Sequence, residues 1–142
     1  MLRIMKILIL NGPNMNLTGE REKEIYGNVS FEDYLVTLRK LFPEFTISFF
    51  QSNIEGEIIN RLQQAANEVN AVIINAGGYT HTSVAIGDAV KAIDISVVEV
   101  HLSNILAREE FRHHSFIAPH CIGSVFGFGL DSYRLAISYF KY

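Results

Sequence analysis

Short runs of aliphatic and aromatic residues alternate along this chain with segments whose apolar positions recur every three or four residues. The runs are 4–10, 46–50, 71–74, 95–100 and 121–126. They are near-continuous in Val, Ile and Leu rather than alternating, as in strands buried on both faces. Between them Phe31, Leu35, Leu38 and Phe42 mark one helical face, after a Ser30 cap and before Pro43. Ile54, Ile58, Leu62, Ala65 and Val69 mark a second helix, with Glu55 and Glu57 near its positive end. Ile86, Val90 and Ile93 mark a third after the cap candidates Thr82 and Ser83, and Leu130, Tyr133, Ile137 and Phe140 a fourth.

Strands alternating with helices imply right-handed crossovers and a parallel sheet. Five strands in 142 residues predict an α/β three-layer sandwich of flavodoxin-like type, not an eight-stranded barrel. The expected sheet is open, parallel and ordered 2-1-3-4-5, with helices on both faces. No repeat, low-complexity segment or linker divides the sequence, so a single domain over 1–142 is expected.

Composition narrows the class. A hydrophobic content of 49% with 19% charged residues excludes a disordered tail or a charged coiled coil. The net charge is −3, and the basic residues scatter from Arg3 to Lys141 without forming the basic face of a nucleic-acid module. The one cysteine, Cys121, can form no internal disulfide, which suits a reducing, cytoplasmic setting. Lys6 breaks the first apolar run, leaving it too short for a membrane span or a signal core.

The segment 11–29 shows no helical or strand period, although βα loops usually take roughly 2–6 residues. It carries Asn11, Asn14, Asn16, Arg21 and Tyr26, with Gly12, Gly19 and Gly27 as hinge candidates. A lid over a ligand, at about 14–28, is the sharper reading; an insertion without function is the alternative.

In open parallel sheets ligands bind beyond the carboxyl ends of the strands, where strand order reverses. There the first strand runs into Asn11-Gly-Pro-Asn14, the third into Asn75 and a Gly-rich turn reaching His81, and the fourth into Glu99-Val-His101-Leu102-Ser103-Asn104. Taken singly, Asn75 is equally well a turn residue, His81 a surface group and His101 a satisfied core histidine. Glu99 lies on the face of His101 and either hydrogen-bonds the imidazole or edges a salt bridge.

Several chemistries lack their signatures. No P-loop string, nucleophile elbow or metal spacing occurs, and His113-His114 project in different directions on any regular element. Gly127-Phe-Gly129 lacks the full dinucleotide fingerprint, and no lysine falls at a strand's carboxyl end for Schiff-base chemistry. Cofactor-free acid–base chemistry remains, with His101 and Tyr26 as proton-transfer candidates. A free tyrosine ionises near pH 10, so Tyr26 needs a cation such as Arg21, aided by Arg108 or Arg112, to act as a base.

The strings Asn11-Gly-Pro-Asn-Met-Asn-Leu-Thr-Gly-Glu-Arg21, Tyr26-Gly27, Asn75-Ala-Gly-Gly-Tyr-Thr-His-Thr-Ser83, Glu99-Val-His-Leu-Ser-Asn104 and Arg112-His-His-Ser115 resemble type II 3-dehydroquinate dehydratase. The likeness runs the length of the chain, in order. It implies dehydration of 3-dehydroquinate to 3-dehydroshikimate in the shikimate pathway, by anti elimination through an enolate and without a cofactor or metal. By this resemblance Tyr26 is the base, Arg21 keeps it ionised, His101 is the acid and Glu99 orients it. Asn14 holds the water or polar group that stabilises the enolate oxygen. Asn75, His81 and Arg112 hold substrate hydroxyls, and backbone N–H groups at Leu102 and Ser103 hold the carboxylate. The resemblance further implies trimers assembling to a homododecamer, with Asp88 reaching a neighbour's site.

The sequence departs from the family's habit at Lys23, where proline is common, and at Met15 and Thr18, where leucine is common. Losing a proline loosens a lid without removing a chemical group. Two rival functions predict different behaviour. A non-catalytic module for small polar anions or nucleotides would bind without forming product, and metal-assisted hydrolysis would fail in a chelator.

Overall fold

The computed structural model describes residues 3–17 and 29–142. At its centre are β1 (Met5–Asn11), β2 (Phe45–Gln51), β3 (Ala71–Asn75), β4 (Ser96–His101) and β5 (Gly123–Phe126). They form one sheet ordered β2-β1-β3-β4-β5. Every neighbouring pair is parallel. Order and direction agree with the sequence expectation.

Among the described residues four helices cover the sheet: α1 (Phe31–Leu41), α2 (Glu55–Glu68), α3 (Val84–Ala92) and α4 (Asp131–Ser138). Their apolar stripes sort them by face. Phe31, Leu35 and Leu38 of α1 and Tyr133, Ala136 and Ile137 of α4 pack on Ile7, Ile9, Ile73 and Val98. On the opposite face Ile58 and Leu62 of α2 and Ile86 and Val90 of α3 meet Leu8, Leu10, Val72 and Ile74. The consecutive residues Ile7 to Leu10 are therefore fully buried, which explains why β1 is an unbroken apolar run. Each such side chain stabilises the fold by roughly 1.5–3 kcal/mol.

Local chemistry starts the helices. Ser30 Oγ accepts the Asp33 N–H at 3.2 Å, and Ser83 Oγ accepts the Ile86 N–H at 2.9 Å. Ser83, not Thr82, is thus the cap of α3. The second helix has the apolar Ile54 at its cap position. Ser52 supplies the cap instead, accepting the Ile54 N–H and donating to Glu57 at 2.6 Å.

The expected boundaries shift at several places, with Phe42, Ile54 and Val69 falling at caps just outside α1 and α2. Ile93 caps α3 rather than extending it. Leu130 precedes α4, and Phe140 falls in a following 3-10 turn. The fifth strand starts at Gly123 because the Cys121 N–H closes a turn onto Ala118. Ile122 N–H still donates to Val97 O at 2.9 Å.

The irregular segment after β1 contains a 3-10 turn, Met15–Leu17. Arg21, Tyr26 and most of the expected lid lie outside the described residues. Among the described residues, no helix is long and apolar enough to cross a membrane.

Candidate active site

Four strands end on polar residues at one edge of the sheet: Asn11, Gln51, Asn75 and His101. A crevice of about 200 Å³ opens beyond this edge, beside the junction of β1 and β3 where strand order reverses. Among its walls are Asn14, Asn75, His81, His101, Ser103 and Arg112. Leu102 and Arg108 also line it.

Two loops meet backbone to backbone to form one wall. Gly12 N–H donates to Asn75 O at 2.7 Å, and a Cβ on Gly12 would lie 2.5 Å from Ala76 O. Gly77 answers with a φ of +59°, a conformation that glycine adopts without strain. Next to it Asn14, at φ 69°, takes the left-handed conformation that asparagine tolerates. Its N–H is held by Asn53 Oδ1 at 3.0 Å, and Gln51 Nε2 donates to the same oxygen at 3.1 Å.

Below the opposite wall lies a buried acid–imidazole pair. His101 Nε2–H donates to Glu99 Oε1 at 2.9 Å. The second carboxylate oxygen accepts from Ser115 Oγ at 2.6 Å. Ser115 has its direction set by the Ile117 and Ala118 N–H groups, at 3.1 and 2.9 Å, which occupy its lone pairs. A carboxylate this deep needs such donors, since an unpaired buried charge is expensive.

His81 stacks on His101 with ring centroids 6.0 Å apart. Its Nδ1–H donates to the backbone carbonyl of His114 at 2.7 Å, so Nε2 is an acceptor. Burial is the largest influence on His81 and lowers its pKa; the bond to His114 opposes this, and His101 and Arg112 add to the lowering. Arg112 is oriented by Glu109 and lies over the Phe111 ring at 4.9 Å. Arg108 reaches Ser103 Oγ at 3.5 Å. Among the described residues the lining thus holds two arginines and no carboxylate, a balance suited to a small anion.

Other chemistry has less support among the described residues. No group of three or more His, Cys, Asp or Glu side chains is placed to hold a metal ion. Burial, with Glu99's charge adding, pushes the Cys121 thiol up to about 12, so it is a poor nucleophile.

Asn14, Asn75, His81, His101, Leu102, Ser103 and Arg112 therefore come together, with Glu99 directly beneath His101. Asp88 does not join them; it is exposed on α3. Sequence reasoning overlooked Met15 and Ile105 in the walls and the support that Ser115 and Tyr133 lend from behind. Only the string Arg112-His-His-Ser115 carried any signal for Ser115, and Tyr133 looked like one more apolar helix position.

An open parallel sheet with a cationic, hydrogen-bonding crevice at its switch point defines a small-molecule α/β protein of flavodoxin-like fold. Comparison with known proteins narrows this further. Residues 5–141 match the family described as Dehydroquinase class II. A 3-dehydroquinate dehydratase of Caldicellulosiruptor bescii is 56% identical over 135 residues, covering 93% of each chain. One of Clostridium acetobutylicum is 52% identical over 139 residues, covering 96% of each. The crystal structure of a type II dehydroquinase from Butyrivibrio crossotus superposes with a TM-score of 0.91 at 45% identity, covering 97% of this chain and 98% of that one. The chain belongs to the class II dehydroquinase family.

Proposed function

We infer that this protein is a hydro-lyase that converts 3-dehydroquinate to 3-dehydroshikimate and water in the shikimate pathway. The observation that carries this is the buried Glu99–His101 pair beneath a crevice whose charged side chains, among the described residues, are the arginines Arg108 and Arg112. The substrate is a small carboxylate rich in hydroxyls, and arginine, asparagine and histidine are the side chains that bind such groups.

Tyr26, ionised by Arg21, removes the proton next to the ketone, and the electron pair moves onto the carbonyl oxygen. Asn14, through a bound water or polar group, stabilises that enolate oxygen. Collapse of the enolate restores the ketone, forms the ring double bond and breaks the C–O bond. His101 donates a proton to the departing hydroxyl, which leaves as water. Because Nε2 is engaged by Glu99, Nδ1 is the ring nitrogen that delivers the proton. Asn75, His81 and Arg112 hold hydroxyls, and the Leu102 and Ser103 backbone N–H groups hold the carboxylate. No cofactor or metal is needed for this sequence.

One catalytic domain in trimers, four to a dodecamer, in the cytoplasm completes the proposal. The exposed position of Asp88 on α3 suits a role at a neighbour's crevice. Sedimentation gives the assembly state. Ultraviolet absorption of the conjugated enone tests the reaction, which should persist in a chelator and leave no borohydride-trapped adduct on lysine. Tyr26→Phe and His101→Ala should each lower kcat by about 10²–10⁴-fold. Retention of most turnover by both variants overturns the assignment.

A further inference from the structure

Behind the crevice, three buried polar side chains form a chain of hydrogen bonds where apolar residues would pack more cheaply. Tyr133 of α4 is fully buried, with its ring edge-on to Phe31 at 5.0 Å. Its hydroxyl donates to Asn11 Oδ1 at 2.7 Å and accepts from Asn75 Nδ2 at 3.0 Å. Asn75 Oδ1 accepts the Gly77 N–H at 3.2 Å. Each bond specifies the next. The Gly77 N–H requires the amide oxygen of Asn75 on its side, and the phenol then receives the amide nitrogen. Burial pushes the Tyr133 phenol far up, against the smaller opposing effects of Asn75 and Asn11, so it remains an O–H donor. Among the described residues Asn11 Nδ2 has no partner, an unfavourable feature in a buried group. A polar cluster kept at such a cost at a site edge is where function, rather than stability, decides residue choice.

We propose that Tyr133 is a positioning residue that presents Asn75 to the crevice as an N–H donor to a substrate oxygen. Tyr133 itself is closed off from the crevice and acts only through Asn75. The second N–H of Asn75 meets Met15 Sδ at 3.6 Å. A thioether is a weak acceptor, so a substrate hydroxyl oxygen displaces it readily. Met15 itself lines the crevice, so this N–H faces the space a ligand would fill.

The inference rests on the dehydratase reading for its substrate, so the test has one arm that needs no activity. In isotope-labelled protein, the Asn75 side-chain amide proton that faces Tyr133 should be protected from exchange, and Tyr133→Phe should speed that exchange about tenfold. In the enzymatic arm, Tyr133→Phe should raise the KM for 3-dehydroquinate about tenfold with kcat within about threefold. In an Asn75→Ala background the same substitution should change KM less than about twofold. A structural role alone would shift both backgrounds equally, and that result overturns the proposal, as does unchanged amide exchange. Should Tyr133→Phe fold poorly with the Asn11 oxygen unsatisfied, Asn11→Leu with Tyr133→Phe removes both polar partners together. The same KM rise is expected there, and a wild-type KM overturns the proposal. Loss of protection in a protein without dehydratase activity would sink the functional reading and leave the positioning intact.

Discussion

Glu99 and His101 lie on the same face of β4 and meet at 2.9 Å, with only 2% and 5% of their surfaces exposed. Spacing of two along a strand puts both side chains on one side of the sheet, and burial removes water as a competitor for the bond. The imidazole is thereby fixed in orientation, with Nε2 on the carboxylate and Nδ1 turned away from it.

Glu99→Gln keeps the shape of the pair and removes the charge. It should lower kcat by about 10²–10⁴-fold, the range for a positioned proton donor, while KM stays within about threefold. Steady-state kinetics with the ultraviolet assay decide; an unchanged kcat would show that the pair is only structural.

Ser115 holds the other oxygen of Glu99 and receives two backbone N–H groups. Ser115→Ala leaves all three without their partner and should destabilise the fold by about 1–3 kcal/mol. Urea unfolding should show a lower midpoint with an unchanged slope.

Acid should weaken the fold through His81. Its pKa in the folded state lies below the ordinary value of about 6.5, chiefly through burial. Between those two values the unfolded chain binds more protons, so stability rises with pH there and is lost as pH falls below about 6.5. His81→Gln should flatten the melting-temperature curve in that window. A curve as steep as the wild type's would assign the effect to other groups.

Gly12→Ala places a Cβ against the Ala76 carbonyl, where the structure leaves 2.5 Å. The contact is backbone, so the two loops must separate, at about 1–3 kcal/mol. Asn14 and Asn75 ride on those loops, so KM should rise together with the loss of stability. Thermal melts and kinetics on the one variant check both.

The sheet was legible because burial on both faces writes a continuous apolar run into each strand, as in Ile7 to Leu10. Helices were legible from their single apolar stripes and Ser30 from its place before the first of them, whereas the choice of Ser83 over Thr82 rested on the hydrogen bond to the Ile86 N–H. Boundaries such as Gly123 were not, because a turn onto Ala118 rather than hydropathy decides where β5 starts. Of the site, the polar strand ends Asn75 and His101 were visible as interruptions of apolar runs.

Along the chain itself, then, lay the layer architecture, the polar strand termini and the candidate acid and base. The architecture follows from continuous apolar runs and stripes of period 3.6, which a linear reading captures, whereas the candidate acid and base came from excluding other chemistries and from the family likeness. Tertiary structure alone decided that Ser115 supports Glu99 and that Tyr133 reaches both Asn11 and Asn75, residues as much as 122 positions away. A tyrosine in an apolar stripe contributes its ring to the core wherever the helix docks. Whether its hydroxyl meets a partner depends on where that docking brings it, and that is a property of the packed sheet rather than of the helix.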